Sequence, residues 1–123
     1  MRVFIASSDQ MFRLALLLLL ESEPGMAVIG VTDRAEGLAA LLGISKSEVL
    51  LLDYEIDKQE LMVGVIDEIH AIDNSPKIVV FSIDPHVETL STTAGVEVFI
   101  SKTVPPDALL PKLRELLSAR SPE

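Results

Sequence analysis

The chain has 123 residues, enough for one domain with a real core and too few for two independent ones. Nineteen acidic residues against ten basic ones leave a formal charge of −9, which excludes a domain that grips nucleic acid or an anionic membrane surface by itself. Hydrophobic residues make up 49% but aromatics only 4%, so Leu, Val, Ile and Ala must build the core; the absence of cysteine excludes disulfides, a thiol nucleophile and a zinc knuckle, and fits a reducing, cytosolic setting.

In chain order, the first apolar run is Arg2-Val3-Phe4-Ile5-Ala6, a strand ending in Ser7 and Ser8. Ser7-Ser8-Asp9 then reads as a capping cluster for a helix that runs to about Glu23 and stops at Pro24-Gly25. Apolar residues circle most of this helix, which predicts one of the most buried helices; the run from Leu14 to Leu20 is closed by Glu21 and falls short of the roughly 20 residues a membrane span needs. No small-residue cleavage site follows it, as a signal peptide would require.

A second strand near residues 26–31 precedes a short helix from about Arg34 to Leu42, ended by Gly43 as a left-handed stop. The run Val49-Leu50-Leu51-Leu52-Asp53 is wholly aliphatic before its carboxylate, as expected of a strand buried on both faces of a parallel sheet. A third helix from about Lys58 to Ile72 carries Leu61, Met62, Val65, Ile66 and Ile69 at helical spacing. A fourth strand, 77–82, ends in Ser82; Asp84-Pro85 then signals a helix with Asp84 as N-cap, although the Thr-rich stretch behind it makes a short helix. The fifth strand, 96–101, ends in Lys102. Pro105-Pro106-Asp107 opens the last helix, with Pro111 expected to fray or bend its first turn, and residues 119–123 read as a tail or linker after a domain of residues 1–118.

Five βα units with right-handed crossovers predict an α/β doubly wound, five-stranded parallel sheet with three helices on one face and two on the other. Such sheets bind ligands outside the carboxyl ends of their strands. Strand order 2-1-3-4-5 gathers Ser7, Ser8, Asp53, Ser82 and Lys102 there, a carboxylate, hydroxyls and an ammonium suited to a phosphoryl group.

Asp53 after an aliphatic strand, Ser82 after the fourth, Phe99 within the fifth and Lys102 at its end resemble a response-regulator receiver domain over essentially the whole chain. Ile5-Ala6, Phe12-Arg13 and Leu19-Leu20-Glu21-Ser22-Glu23-Pro24 are similar to receivers of the NarL/FixJ type of two-component system. The resemblance implies the flavodoxin-like or CheY-like (βα)5 fold, a phosphorelay role, and no catalysis on an external substrate. It makes Asp53 the phospho-acceptor, Lys102 its charge partner, Ser82 the switching hydroxyl and Phe99 the aromatic that follows it. A sensor histidine kinase would be the donor. An output domain that binds DNA, or a second copy, would meet the face of helix 4, strand 5 and helix 5. The implied metal is Mg, facing Asp53 and the Glu55 main-chain carbonyl, but Ser7 and Ser8 stand where the family carries two acids, so binding should be weak. Asp9 could replace them only in a shifted turn. Asp57 stands where proline is frequent in the family, and Thr103 follows Lys102.

Two other functions compete with a phosphorelay receiver. An atypical pseudo-receiver would keep the fold and the contact face but act independently of phosphorylation. More distantly, Asp53-Tyr54-Glu55 resembles the nucleophile loop of haloacid-dehalogenase-like phosphatases, with Glu55 in place of the second Asp and no room for a cap. His70 and His86 have no acidic partner at ligand spacing, and no glycine-rich phosphate loop follows the first strand.

Overall fold

The computed structural model describes residues 1–56 and 62–120. Its elements are β1 (Arg2–Ala6), α1 (Gln10–Glu21), β2 (Ala27–Thr32), α2 (Leu38–Ser45), β3 (Val49–Asp53), α3 (Met62–His70), β4 (Lys77–Ser82), α4 (Val87–Thr93), β5 (Val98–Ser101) and α5 (Leu109–Arg120), the last entered through a 3-10 turn at Pro106–Ala108. The strands form one sheet, all pairs parallel, in the order β2-β1-β3-β4-β5. Among the described residues, no helix is long and apolar enough to cross a membrane.

Alternation along the strands divides the core in two. Phe4, Leu50, Leu52, Ile78 and Val80 face α2, α3 and α4, with Leu38, Leu42, Val65, Ile66, Ile69 and Val87. Val3, Ile5, Val49, Leu51, Val79 and Phe81 face α1 and α5, with Leu16, Leu20, Leu109 and Leu113. Three helices therefore cover one face and two the other. β3 lies between the two cores and is buried at all five positions, which is why its sequence is aliphatic without alternation.

Several element ends differ from expectation. α2 begins at Leu38 and continues through Gly43 to Ser45, because Gly37 takes the left-handed conformation before the helix and Lys46, at φ 55°, provides the left-handed stop after it. α4 begins at Val87, and the Asp84 carboxylate instead accepts the His86 amide at 3.0 Å in the turn ahead of the helix. α1 stops at Glu21 and is less buried than its composition implies. Only Leu16 and Leu20 are fully buried, while Met11, Leu14 and Leu18 face outward, since a helix at the sheet surface has one face to hide. Pro111 falls in the first turn of α5, where an amide has no intrahelical acceptor to lose, and the helix runs on to Arg120. The start expected for the third helix, and Asp57, lie outside the described residues.

Candidate functional site at the carboxyl ends of the strands

Backbone pairing continues one residue beyond the strands and fixes where the site side chains emerge. The Ser7 amide donates to the Thr32 carbonyl at 3.0 Å, Tyr54 to Phe81 at 2.8 Å and Lys102 to Ser82 at 3.0 Å. β1, β3, β4 and β5 thus deliver Ser7, Asp53, Ser82 and Lys102 to one edge.

Asp53 is only 2% exposed, and a carboxylate there must be fully compensated. Ser7 Oγ donates to its Oδ2 at 2.6 Å. Lys102 Nζ lies 2.6 Å from Oδ1, and the Glu55 amide donates to the same oxygen at 3.0 Å. Lys102 also reaches Glu55 Oε1 at 3.2 Å, an ion pair without hydrogen-bond alignment. Ser82 Oγ donates to Glu55 Oε2 and accepts the Asp84 amide at 3.0 Å. Burial pushes the Lys102 ammonium toward losing its proton, but the Asp53 and Glu55 carboxylates outweigh it and hold its pKa above the ordinary lysine value.

An aromatic wall completes the site. Lys102 Nζ sits 5.1 Å from the centroid of Phe12, whose ring meets Phe81 edge-on at 5.2 Å. Phe12 enters from the first turn of α1, which Asp9 caps by accepting the Met11 and Phe12 amides at 3.1 Å each. Arg13 closes the turn by donating to the Ser7 carbonyl at 2.5 Å.

The structure therefore brings together Asp53, Ser82 and Lys102, as the sequence suggests. Phe99 is half-buried on the opposite side of β5, against the α2-α3-α4 core. Ser8 is exposed. Two contacts of residues already placed at this edge by the sequence were not foreseen. Ser7 is bonded directly to Asp53, and the Glu55 side chain, not only its main chain, belongs to the network. Its place two residues after Asp53, beyond a strand end, was the available signal.

The donor set does not fit a magnesium ion. Among the described residues, no three His, Cys, Asp or Glu side chains converge on a point that could hold a metal. The expected ligands are engaged elsewhere: Asp9 caps α1, both Asp53 oxygens hold protein donors, and the Glu55 carboxylate binds Ser82 and Lys102. A hard cation would have to displace charged hydrogen bonds and accept neutral hydroxyls in return.

No family model and no curated protein matches the chain by sequence. Solved structures do match. The response regulatory domain of MrkE from Klebsiella pneumoniae superposes with a TM-score of 0.84 at 19% identity, covering 97% of each chain. The signal receiver domain of the putative response regulator NarL from Mycobacterium tuberculosis gives 0.84 at 17%, again over 97% of each. The fold is that of a receiver domain. A Salmonella typhimurium RcsB response regulator, described for its conformational dynamism in DNA interaction, gives 0.86 at 21% over 96% of this chain and 61% of that one.

Proposed function

We propose that the chain is a receiver-fold signalling module that works by protein contact and is not switched through magnesium-assisted phosphorylation. The observation that carries this reading is the closed network on Asp53, in which Ser7, Lys102 and the Glu55 amide occupy the carboxylate and one ammonium serves two carboxylates. A dianionic phosphoryl group on Asp53 would compete with Glu55 for Lys102, with no metal to neutralise the transferred charge. Glu55 is tied to Ser82 and Lys102, which also disfavours a phosphatase needing a free second acid. The contact face is that of α4, β5 and α5, and the partner is an output domain, such as the DNA-interacting RcsB suggests, or another signalling protein.

One observation favours the phosphorelay version. Asp53 and Lys102 meet at 2.6 Å at the sheet edge, the pairing a phospho-acceptor and its charge partner require. In that version a sensor histidine kinase phosphorylates Asp53, and Ser82 and Phe99 transmit the change. Incubation with a small phosphodonor and magnesium, followed by intact-mass measurement of the native chain and of Asp53→Asn, separates the two. We expect neither mass to shift, also after exposure to the cognate kinase. A phosphate adduct lost in Asp53→Asn would replace our reading with the phosphorelay one.

A further inference from the structure

α4, β5 and α5 do not close on one another. Between them lies a cleft of about 300 Å³ lined by Glu88, Ser91, Glu97, Phe99, Lys112 and Glu115, among others. The size falls at the lower end of the range for ligand sites, and the lining is mostly polar. Three exposed carboxylates face one ammonium across it, and no ion pair within 4.0 Å links Lys112 to any of them among the described residues.

A group of acids at a surface is ordinarily just a solvated face. Here a second feature singles the place out. Ser91, on α4, is 1% exposed, yet its Oγ has no hydrogen-bond partner among the described residues. A helical serine can usually return its hydroxyl to the carbonyl one turn back, and a buried hydroxyl without a partner costs stability. Thr92, its neighbour, does make that bond, to the Glu88 carbonyl at 2.9 Å. Ser91 is among the residues that line the cleft, and its hydroxyl, buried beneath that wall, keeps free acceptor capacity behind a ring of negative charge.

We infer that this cleft receives a basic segment of a partner protein, an arginine or lysine side chain inserting between α4 and β5 so that its N–H donates to Ser91 Oγ while Glu88 and Glu115 neutralise its charge. The inference rests on the reading of the chain as a contact module and supplies the chemistry of the partner. A second copy fits the cleft poorly, because two chains of formal charge −9 repel and each brings three glutamates to the same face. Glu97 is partly committed, since its Oε1 accepts the Ile78 amide at 2.8 Å and fixes the start of the β4–β5 pairing. It is therefore a support of the cleft and a poor choice for mutation.

The test titrates the full chain, without phosphodonor, with the peptide acetyl-Ala-Arg-Ala-Arg-Ala-amide, following backbone amide shifts. The control is the same peptide with citrulline for arginine, which keeps the shape and removes the charge. We expect saturable shifts centred on Ser91, Val96 to Phe99 and Lys112, weaker by about tenfold for the citrulline peptide and for the double variant Glu88→Gln/Glu115→Gln, as loss of paired charges at a surface predicts. Ser91→Ala should weaken binding severalfold while leaving the thermal midpoint unlowered, which distinguishes lost recognition from lost folding. Shifts spread over the whole acidic surface, equal binding of both peptides, or no effect of the glutamate and serine variants would overturn the inference. Concentration-dependent dimerisation abolished by Glu88→Gln/Glu115→Gln would assign the cleft to a second copy and overturn it as well. Because no phosphodonor is present, none of these failures bears on whether Asp53 accepts phosphate.

Discussion

The sheet edge around Asp53 and the cleft between α4, β5 and α5 are built on adjacent strands but in opposite ways. At the edge, the charged groups are paired within the chain: Asp53 is held by Ser7, Lys102 and the Glu55 amide, and Glu55 by Ser82 and Lys102, with Glu55 Oε1 in an ion pair but without a hydrogen bond. In the cleft, a buried hydroxyl has no hydrogen-bond partner among the described residues, and three glutamates face a single lysine. The first region has its charges paired within the chain, and the second is arranged as if waiting for another molecule.

The comparison can be broken most forcefully at Lys102. Lys102→Met should cost about 3 kcal/mol in urea unfolding, because it strands a buried Asp53 and leaves Glu55 beside it as a second uncompensated charge. A cost within the range of an exposed ion pair would mean that the edge is not held together as described. The same group sets a pH dependence. The lysine pKa is raised in the folded state, so its stabilisation is fully present below the ordinary lysine pKa of about 10.4 and fades as pH rises through the folded value. Stability of the native chain should therefore fall in alkali, and the Lys102→Met variant should lack that component of the fall.

Restoring acids sharpens the contrast from the other side. Ser7→Asp/Ser8→Asp removes the donor to Asp53 and sets like charge beside it, which should cost about 2 kcal/mol in the absence of metal. Magnesium should return much of that stability to the variant and none to the native chain, measured as the shift in thermal midpoint. A native chain stabilised equally would refute the description of its edge. Ser82→Ala removes one hydroxyl from a network that keeps its ion pairs, and about 1 kcal/mol is expected from denaturant unfolding. Ser91→Ala is the smallest effect: it discards an unpartnered buried hydroxyl, so stability should change by less than about 1 kcal/mol, with a gain more consistent than a loss. A loss well beyond that would show that Ser91 already has a structural partner.

The sequence carried the fold and the strand-end residues because both follow from simple periodicities. A strand buried on two faces must be uniformly aliphatic, as β3 is, and whatever ends it must surface beside the ends of its neighbours. Side-chain direction past a strand end obeys no such rule. Nothing in the spacing of Asp53-Tyr54-Glu55 says that the Glu55 carboxylate turns back to Ser82 and Lys102, and Ser7 beside Asp9 reads as an ordinary cap until Asp9 is seen to do the capping. Phe12 beneath the Lys102 ammonium depends on where α1 packs, which is a tertiary fact. Left-handed residues also misled at α2. Gly43 was the natural stop by composition, yet the chain turns at Lys46, a residue seldom found at positive φ. The Ser91 hydroxyl was invisible for a different reason, since an unpartnered group can be recognised only when all its neighbours are known.

The claim on which the rest depends is that both Asp53 oxygens are engaged by its own chain. Titration of the native protein with magnesium, read at the backbone amides of Ser7, Asp53, Glu55 and Lys102, tests it without assuming any partner or donor. The account predicts no saturable shift at these four amides up to about 10 mM magnesium, because each carboxylate there is already engaged by Lys102 and a hydroxyl, which a hard cation would have to displace. A saturable response at these residues with a dissociation constant of about 1 mM or tighter would contradict it, and would return Asp53 to the role of a metal-assisted phospho-acceptor.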